Sequence, residues 1–393
     1  MAGERTLKSM ASYRKRYQKA DRSGRSRLLD EFCSMTDYHR KYAITLLCRV
    51  IDGSPPGVHR RRRGVVYGPS VAHALESIWE RAGYPWSVRL HALLPQWLPF
   101  ARTHVHGLTP AVESALLKIS PRQIDRLLSE KKRREKRNLY GRTKPGSLLK
   151  HQIEIRTDNS DISGPGYVEV DLVSHSGPSA SGEFVYSFNI TDIYTGWTET
   201  RAVLGKGEAG IVTALAEMRL ELPFPLLGID SDNGSEFINH HLVRWCQTHQ
   251  VKFTRSRPYK KNDNAHIEQK NWTHVRKIFG WDRYDTPEAC AAINVLYRGA
   301  LTQMQNYFQP NVKLVSKERV GSKIRRRYSP AQTPLERLVS YYGEAGVPLG
   351  VKRVLSHRSR LDPFALSEQI EAAIARLTRH QFGAAQKTGK LVC

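Results

Sequence analysis

Three carboxylates in the chain stand where they could do chemistry together: Asp171, Asp232 and Glu268. Asp171 falls near the end of Tyr167-Val-Glu-Val-Asp-Leu-Val, an alternating run that reads as a strand. Asp232 lies in Ser231-Asp-Asn-Gly-Ser-Glu-Phe237, after the short apolar strand 225–230 and before a helical pattern (Phe237, Ile238, Leu242, Val243, Trp245). Glu268 sits inside a helix expected over Asn264 to Phe279. If the first and fourth strands are neighbours, their C-terminal ends bring the two aspartates together, and the helix lays Glu268 across them. Bare carboxylates that close repel one another and hold protons. Hard divalent cations remove the conflict, and an oxygen-only ligand set with open positions suits Mg²⁺ or Mn²⁺. Two such ions about 4 Å apart form the clamp used for in-line attack on a phosphodiester.

The elements that must position these groups form an α/β domain over residues 153–308. Its strands are expected at Tyr167 to Val173, Glu183 to Thr191, Trp197 to Val203, 225–230 and Val251 to Ser256. Helices are expected at Glu208 to Leu222, 236–249, Asn264 to Phe279 and Thr286 to Tyr307. A three-strand meander followed by helices and two more strands implies a five-stranded mixed sheet with helices on its faces. Glu169 and Asp230 share strand parity with Asp171 and Asp232 and read as partly exposed or hydrogen-bonded acids; Asp192 and Glu199 read as surface charges. Glu236 suits the first turn of its helix, where the dipole favours an acid.

The rest of the chain points at a polyanion. Among 393 residues, 62 Lys+Arg stand against 37 Asp+Glu, a net charge of +25. The excess is clustered, as in Arg60-Arg61-Arg62-Arg63, 131–137 and 323–327, which favours nucleic acid over a merely solvated surface. Residues 1–51 read as a helix-turn-helix or a helical hairpin, with Leu28, Leu29, Phe32 and Met35 on one buried face. Tyr42, Ala43, Leu46 and Leu47 make the second face. Residues 52–68 form a basic arm or linker in which Arg60 to Arg63 can follow phosphates. Residues 69–130 read as a second helical DNA-binding unit. There Ser120 caps a helix opened by Pro121, leaving Arg122, Gln123 and Arg126 outward to read base edges. A basic connector covers 131–152. Residues 309–393 form a basic and helical C-terminal region whose stretch Gln309 to Pro334 reads as irregular. Five cysteines without a C-x-x-C pair disfavour a disulfide framework or structural zinc site and suit a reducing cytoplasm. No segment approaches about 18 consecutive apolar residues, so no membrane span is expected.

The spacing of the acids carries a resemblance. Asp232 and Glu268 have 35 residues between them, Asn233-Gly234 follows the first, and Pro258-Tyr259 stands ten residues before the second. Over roughly residues 165–280 the chain resembles the catalytic cores of retroviral integrases and of integrase-like DDE transposases from bacterial insertion sequences. The resemblance implies a ribonuclease-H-like core, with Asp171, Asp232 and Glu268 as catalytic residues and ligands of two Mg²⁺ or Mn²⁺ ions. It places Tyr259 in the loop before the catalytic helix, with Lys260 and Lys261 beside it as DNA contacts. Asn271 matches the asparagine of the family's helix, and Lys270 and His274 on the adjoining face could contact the DNA end. The implied protein is a transposase that binds an element's terminal repeats, nicks the 3′ ends and joins them to target DNA by transesterification. It would act as a homo-oligomer on double-stranded DNA in the bacterial cytoplasm, with the nucleoid as its setting. The other reading is a catalytically inactive DNA-binding regulator derived from a transposase. The zinc unit of retroviral integrases has no counterpart here, and the helical N-terminal region fills its place.

Overall fold

The computed structural model describes residues 12–48, 67–134, 154–155, 162–231, 240–255, 267, 270–320, 323–343 and 346–388. These fall into two units, residues 1–66 and 67–393. In the first unit, α1 (12–19), α2 (Arg22–Thr36) and α3 (Arg40–Leu47) close over Tyr17, Leu28, Leu29, Phe32, Ala43 and Leu47. Asp21 caps α2 by accepting from the Gly24 N–H at 2.8 Å. Asp37 stops the helix in a left-handed turn, and its N–H returns to the Cys33 carbonyl. Two expectations fail here: Met35 is 56% exposed and Tyr42 53% exposed. With α3 only eight residues long, its i, i+4 pair Ala43 and Leu47 fills the contact, and Tyr42 packs edge-on against Tyr38 instead.

In the second unit, the sheet order is β1-β6-β5-β2-β3-β4. Here β1 is Glu154–Ile155, β2 Tyr167–Ser174, β3 Val185–Asp192, β4 Thr198–Leu204, β5 Gly228–Ser231 and β6 Lys252–Arg255. Strands β2, β3 and β4 form an antiparallel meander, and β5 joins β2 in parallel. The five expected strands are all present, and the two-residue β1 extends the parallel edge beyond β6. Alternation along β2 assigns its faces. Val168 and Val170 pack with the helix Glu208–Glu221 and with Leu242, Trp245 and Cys246 of the helix His240–Thr248. Val173 packs on the other face with Val275, Phe279 and the helix Pro287–Leu296. Every residue of β3 is buried, as expected for a strand covered on both sides. Where β2 begins, Gly166 is held at φ 121 with its N–H on the Asp192 carboxylate, and a Cβ there would lie 2.7 Å from the Pro225 carbonyl oxygen.

The helices expected to form a unit of their own over 69–130 share a core with distant parts of the chain. α4 (Pro69–Arg81), α5 (Ser87–His104), α6 (Pro110–Lys118) and α7 (Pro121–Leu127) bury Ile78, Leu94, Trp97 and Ile124 together with Trp197, Phe308, Leu335 and Phe364. Phe364 comes from the long helix Pro363–Thr388, and Leu335 from Pro334–Tyr342, which opens with a Thr333–Glu336 capping box. The stretch read as irregular contains a hairpin, β7 (Leu314–Val320) with β8 (Lys323–Tyr328). Its apolar/polar alternation is absent because Arg325, Arg326 and Arg327 are all exposed, so neither face of β8 carries the usual strand signature.

Candidate active site

The parity that sends Val168 and Val170 to one face sends Glu169 and Asp171 to the other, beneath the helix that begins near Ile267. Asp171 Oδ2 accepts from Asn271 Nδ2 at 2.5 Å, and its Oδ1 accepts from the Leu172 N–H at 2.8 Å. Asn271 Oδ1 in turn accepts from Asn189 Nδ2 at 2.7 Å, and Asn189 Oδ1 takes the Thr200 hydroxyl. A relay across β4, β3 and the helix therefore fixes the rotamer of the Asp171 carboxylate. Asn271 opens a π-helical turn, Asn271–Arg276, continued by the α-helical Lys277–Phe279. Such turns re-aim side chains relative to an α-helix. Glu169, fully buried, accepts the Ile267 N–H at 2.9 Å and so ties the helix to β2. Asp230, in register with Glu169, accepts from the Thr254 hydroxyl at 2.9 Å. Asn189 and Glu169 were not read as site residues from sequence; strand parity with Asp171 is the signal that marks Glu169, and nothing local marks Asn189.

The other predicted residues divide. Asp232, Glu268, Tyr259, Lys260, Lys261 and Arg60 to Arg63 lie outside the described residues. Ser120 accepts from the Gln123 N–H at 3.3 Å; Arg122 and Arg126 are exposed on α7, whereas Gln123 is half-buried rather than fully outward. Lys270 and His274 do not lie on an open surface: they are 7% and 1% exposed. They face inward toward Arg89 and the segment Asn311 to Lys313, so a duplex cannot reach them as drawn from sequence. Asp192 and Glu199 are likewise buried rather than surface charges, because the C-terminal helical layer covers their hairpin. Asp192 is satisfied by the Thr195 N–H and hydroxyl, both at 2.6 Å, as well as by Gly166. Glu199 receives Trp197 Nε1 at 3.0 Å and faces Arg201, yet burial pushes its carboxyl up to about 7.

Among the described residues no group of three or more His, Cys, Asp or Glu side chains is placed to hold a metal, and no helix is long and apolar enough to cross a membrane. Two of the three predicted ligands fall outside those residues; the third, Asp171, is a hard oxygen donor of the kind Mg²⁺ takes.

Below the site, His175 lies in a dry network. Its Nε2 meets Ser187 Oγ at 2.7 Å, and Ser187 Oγ meets the Tyr297 hydroxyl at 2.6 Å. Burial, aided by nearby Arg276, depresses the imidazole to about 3 from its ordinary 6.5. Between those values the unfolded chain takes up a proton that the folded chain refuses. Stability from this group is therefore complete above about pH 6.5 and falls as pH drops, by about 1.4 kcal/mol per unit. Urea unfolding at pH 7 and pH 5 is expected to show a steeper loss of stability in the wild type than in His175→Asn, the difference being this group's share; equal slopes would place the titration elsewhere.

Residues 164–261 match the family described as Integrase core domain. A protein of Sinorhizobium fredii (strain NBRC 101917 / NGR234), called "Uncharacterized protein y4rM", is 41% identical over 325 residues, covering 82% of this chain and 91% of that protein. Among solved structures, the catalytic core of BIV integrase is similar at 14% identity and TM-score 0.31, over 45% of this chain and 95% of that one. The HTLV-2 integrase catalytic core in complex with magnesium, in a dimeric form, is similar at 12% identity and TM-score 0.29, over 38% and 92%.

Proposed function

The chain belongs to one family with the Sinorhizobium fredii protein, within the integrase-like transposase superfamily, and on that premise we propose that it is a DDE transposase. In this reading it binds the terminal repeats of a mobile element, nicks their 3′ ends with water, and joins the freed 3′-hydroxyls to target DNA. The observation that carries the reading is the hydrogen bond from Asn271 to Asp171. It links the helical turn Asn271–Arg276, which lies three residues past Glu268 in the sequence, to the strand of the first aspartate. Two neighbouring facts support the same grouping. Ser231, the residue before Asp232, pairs with Val170, the residue before Asp171. Ile267, the residue before Glu268, gives its N–H to Glu169, two positions from Asp171.

Asp171, Asp232 and Glu268 would hold the divalent ions, Mg²⁺ or Mn²⁺, which when bound supply Lewis-acid stabilisation of the attacking and leaving oxygens. The chain's own part is positional. Asn271 orients the Asp171 carboxylate, Glu169 anchors the helix start, and the covered β3 keeps this face of the sheet rigid. Arg122, Gln123 and Arg126 on α7, and the arginines of β8, are the surfaces we assign to DNA, with Arg60 to Arg63, Tyr259, Lys260 and Lys261 assigned by sequence alone. Two copies acting on paired ends would make the working form a homo-oligomer.

The test uses purified full chain, duplex DNA carrying the inverted repeats that flank its gene, and Mg²⁺. Nicking at the 3′ ends and strand transfer, both lost in EDTA and restored by Mg²⁺, are the expected result. Specific binding of those ends without nicking or joining would replace the reading with that of a DNA-binding regulator.

A further inference from the structure

A small enclosed cavity lies behind the helix that follows Glu268, lined by Arg89 of α5, Lys270, His274, Asn311 and Lys313. Its charged lining side chains, Arg89, Lys270 and Lys313, are all basic. Lys270 Nζ meets His274 Nε2 at 3.1 Å, and His274 Nδ1 meets Thr273 Oγ1 at 2.8 Å, so the imidazole is used on both sides. Asn311 is 8% exposed; its Oδ1 accepts from Arg337, but its Nδ2 has no hydrogen-bond partner. Arg89 gives Nε to the Pro310 carbonyl at 2.5 Å, and Lys313 gives Nζ to the Tyr194 carbonyl at 2.5 Å.

Among the described residues no carboxylate is ion-paired with these cations. Asp192 is near Lys313, and Glu336 is near Arg337. The Asp192 oxygens are taken by Gly166 and Thr195, and those of Glu336 by Thr333 and Gln96. Partly buried Arg89 and Lys313, whose nearest described carboxylates are hydrogen-bonded elsewhere, stand next to a buried amide N–H₂ without an acceptor, so the pocket is short both of acceptors and of negative charge. One acceptor-only species in the cavity resolves both defects, and the space suits a small ion rather than a substrate.

We propose that this cavity binds one small inorganic anion, of the chloride or phosphate type, held by Asn311 Nδ2, Lys270, Arg89 and Lys313. The site is independent of the transposase reading. Bound there, the anion ties α5 and the segment entering β7 to Lys270 and the helical turn Asn271–Arg276. Gly196 borders it with φ 76, and a Cβ there would come within 3.3 Å of Asn311 Nδ2, so the turn leaves Asn311 its place.

Thermal unfolding and calorimetric titration of the DNA-free chain test this, with sodium glutamate as the bulky reference salt and chloride or phosphate replacing it at constant ionic strength. The wild type is expected to gain melting temperature saturably, with one anion bound per chain, and the salt that does so identifies the anion type. Asn311→Asp keeps the oxygen that Arg337 needs and supplies a fixed negative charge, so it is expected to bind the anion at least tenfold more weakly. Its melting temperature should no longer respond to the exchange of salts. Should that variant fail to fold, Arg89→Met is expected to show the same tenfold loss. Identical melting in all three salts, or wild-type anion affinity in both variants, would overturn the proposal.

Discussion

Asp171→Asn is expected to remove metal-dependent nicking and joining while leaving the fold in place. The substitution keeps the side chain's shape and the oxygen that accepts the Leu172 N–H. It sets a second amide against Asn271 Nδ2, and Asn271 can relieve that only by turning its amide away from Asn189. One such exchange costs about 1 kcal/mol of stability. The loss of a charged metal ligand is larger: at about 4 kcal/mol of transition-state stabilisation, activity drops by about 10³-fold. Strand-transfer assays on the element's ends, with circular dichroism and end binding as controls for folding, read the difference. Strand transfer at wild-type rates in this variant would remove Asp171 from the active site and return the choice to Glu169, the other acid of the same strand face. Glu169 already has its carboxylate on the Ile267 N–H, which makes it the anchor rather than the ligand.

The second large effect is structural. Trp97→Ala is expected to destabilise the second unit by about 3–5 kcal/mol in all, of which the lost hydrogen bond supplies about 1 kcal/mol. Trp97 is fully buried, its Nε1–H donates to the Phe308 carbonyl at 3.2 Å, and its ring meets Phe364 edge-on at 5.2 Å. It therefore joins α5 to the helical stretch ending at Phe308 and to the C-terminal helix at one point. In a unit of this size the melting temperature should fall by about 4–7 °C. The form of the transition matters as much as its midpoint. A shared core predicts one cooperative unfolding event by both far-ultraviolet dichroism and tryptophan fluorescence. Two resolved events, the first confined to 69–130, would show that these helices fold as a unit of their own after all.

These two residues mark what could be read from the chain and what could not. The sheet face that Asp171 occupies was legible because strand alternation is a local property: the run from Tyr167 fixes which residues share a face, whatever packs on it. The cap at Ser120, the outward Arg122 and Arg126, and the five strands were legible for the same reason. The spacing of Asp232 and Glu268 identified the superfamily, although both lie outside the described residues. Whether a charged side chain is covered is not local. Lys270 and His274 sit at helical positions that a sequence cannot distinguish from a DNA-facing row, and α5 with Asn311 to Lys313 closes over them. Asp192 and Glu199 stand on a hairpin that looks exposed until the C-terminal helices cover it. Sequence by itself determined the sheet, the order of its strands along the chain, and the acidic residues that could share a site. Tertiary structure alone decided that residues 69–128 belong to a common core, that Asn271 reaches Asp171 through a π-helical turn, and that a row of cations points inward. The reason is physical: periodicity is encoded by neighbours in the chain, whereas burial is set by neighbours in space.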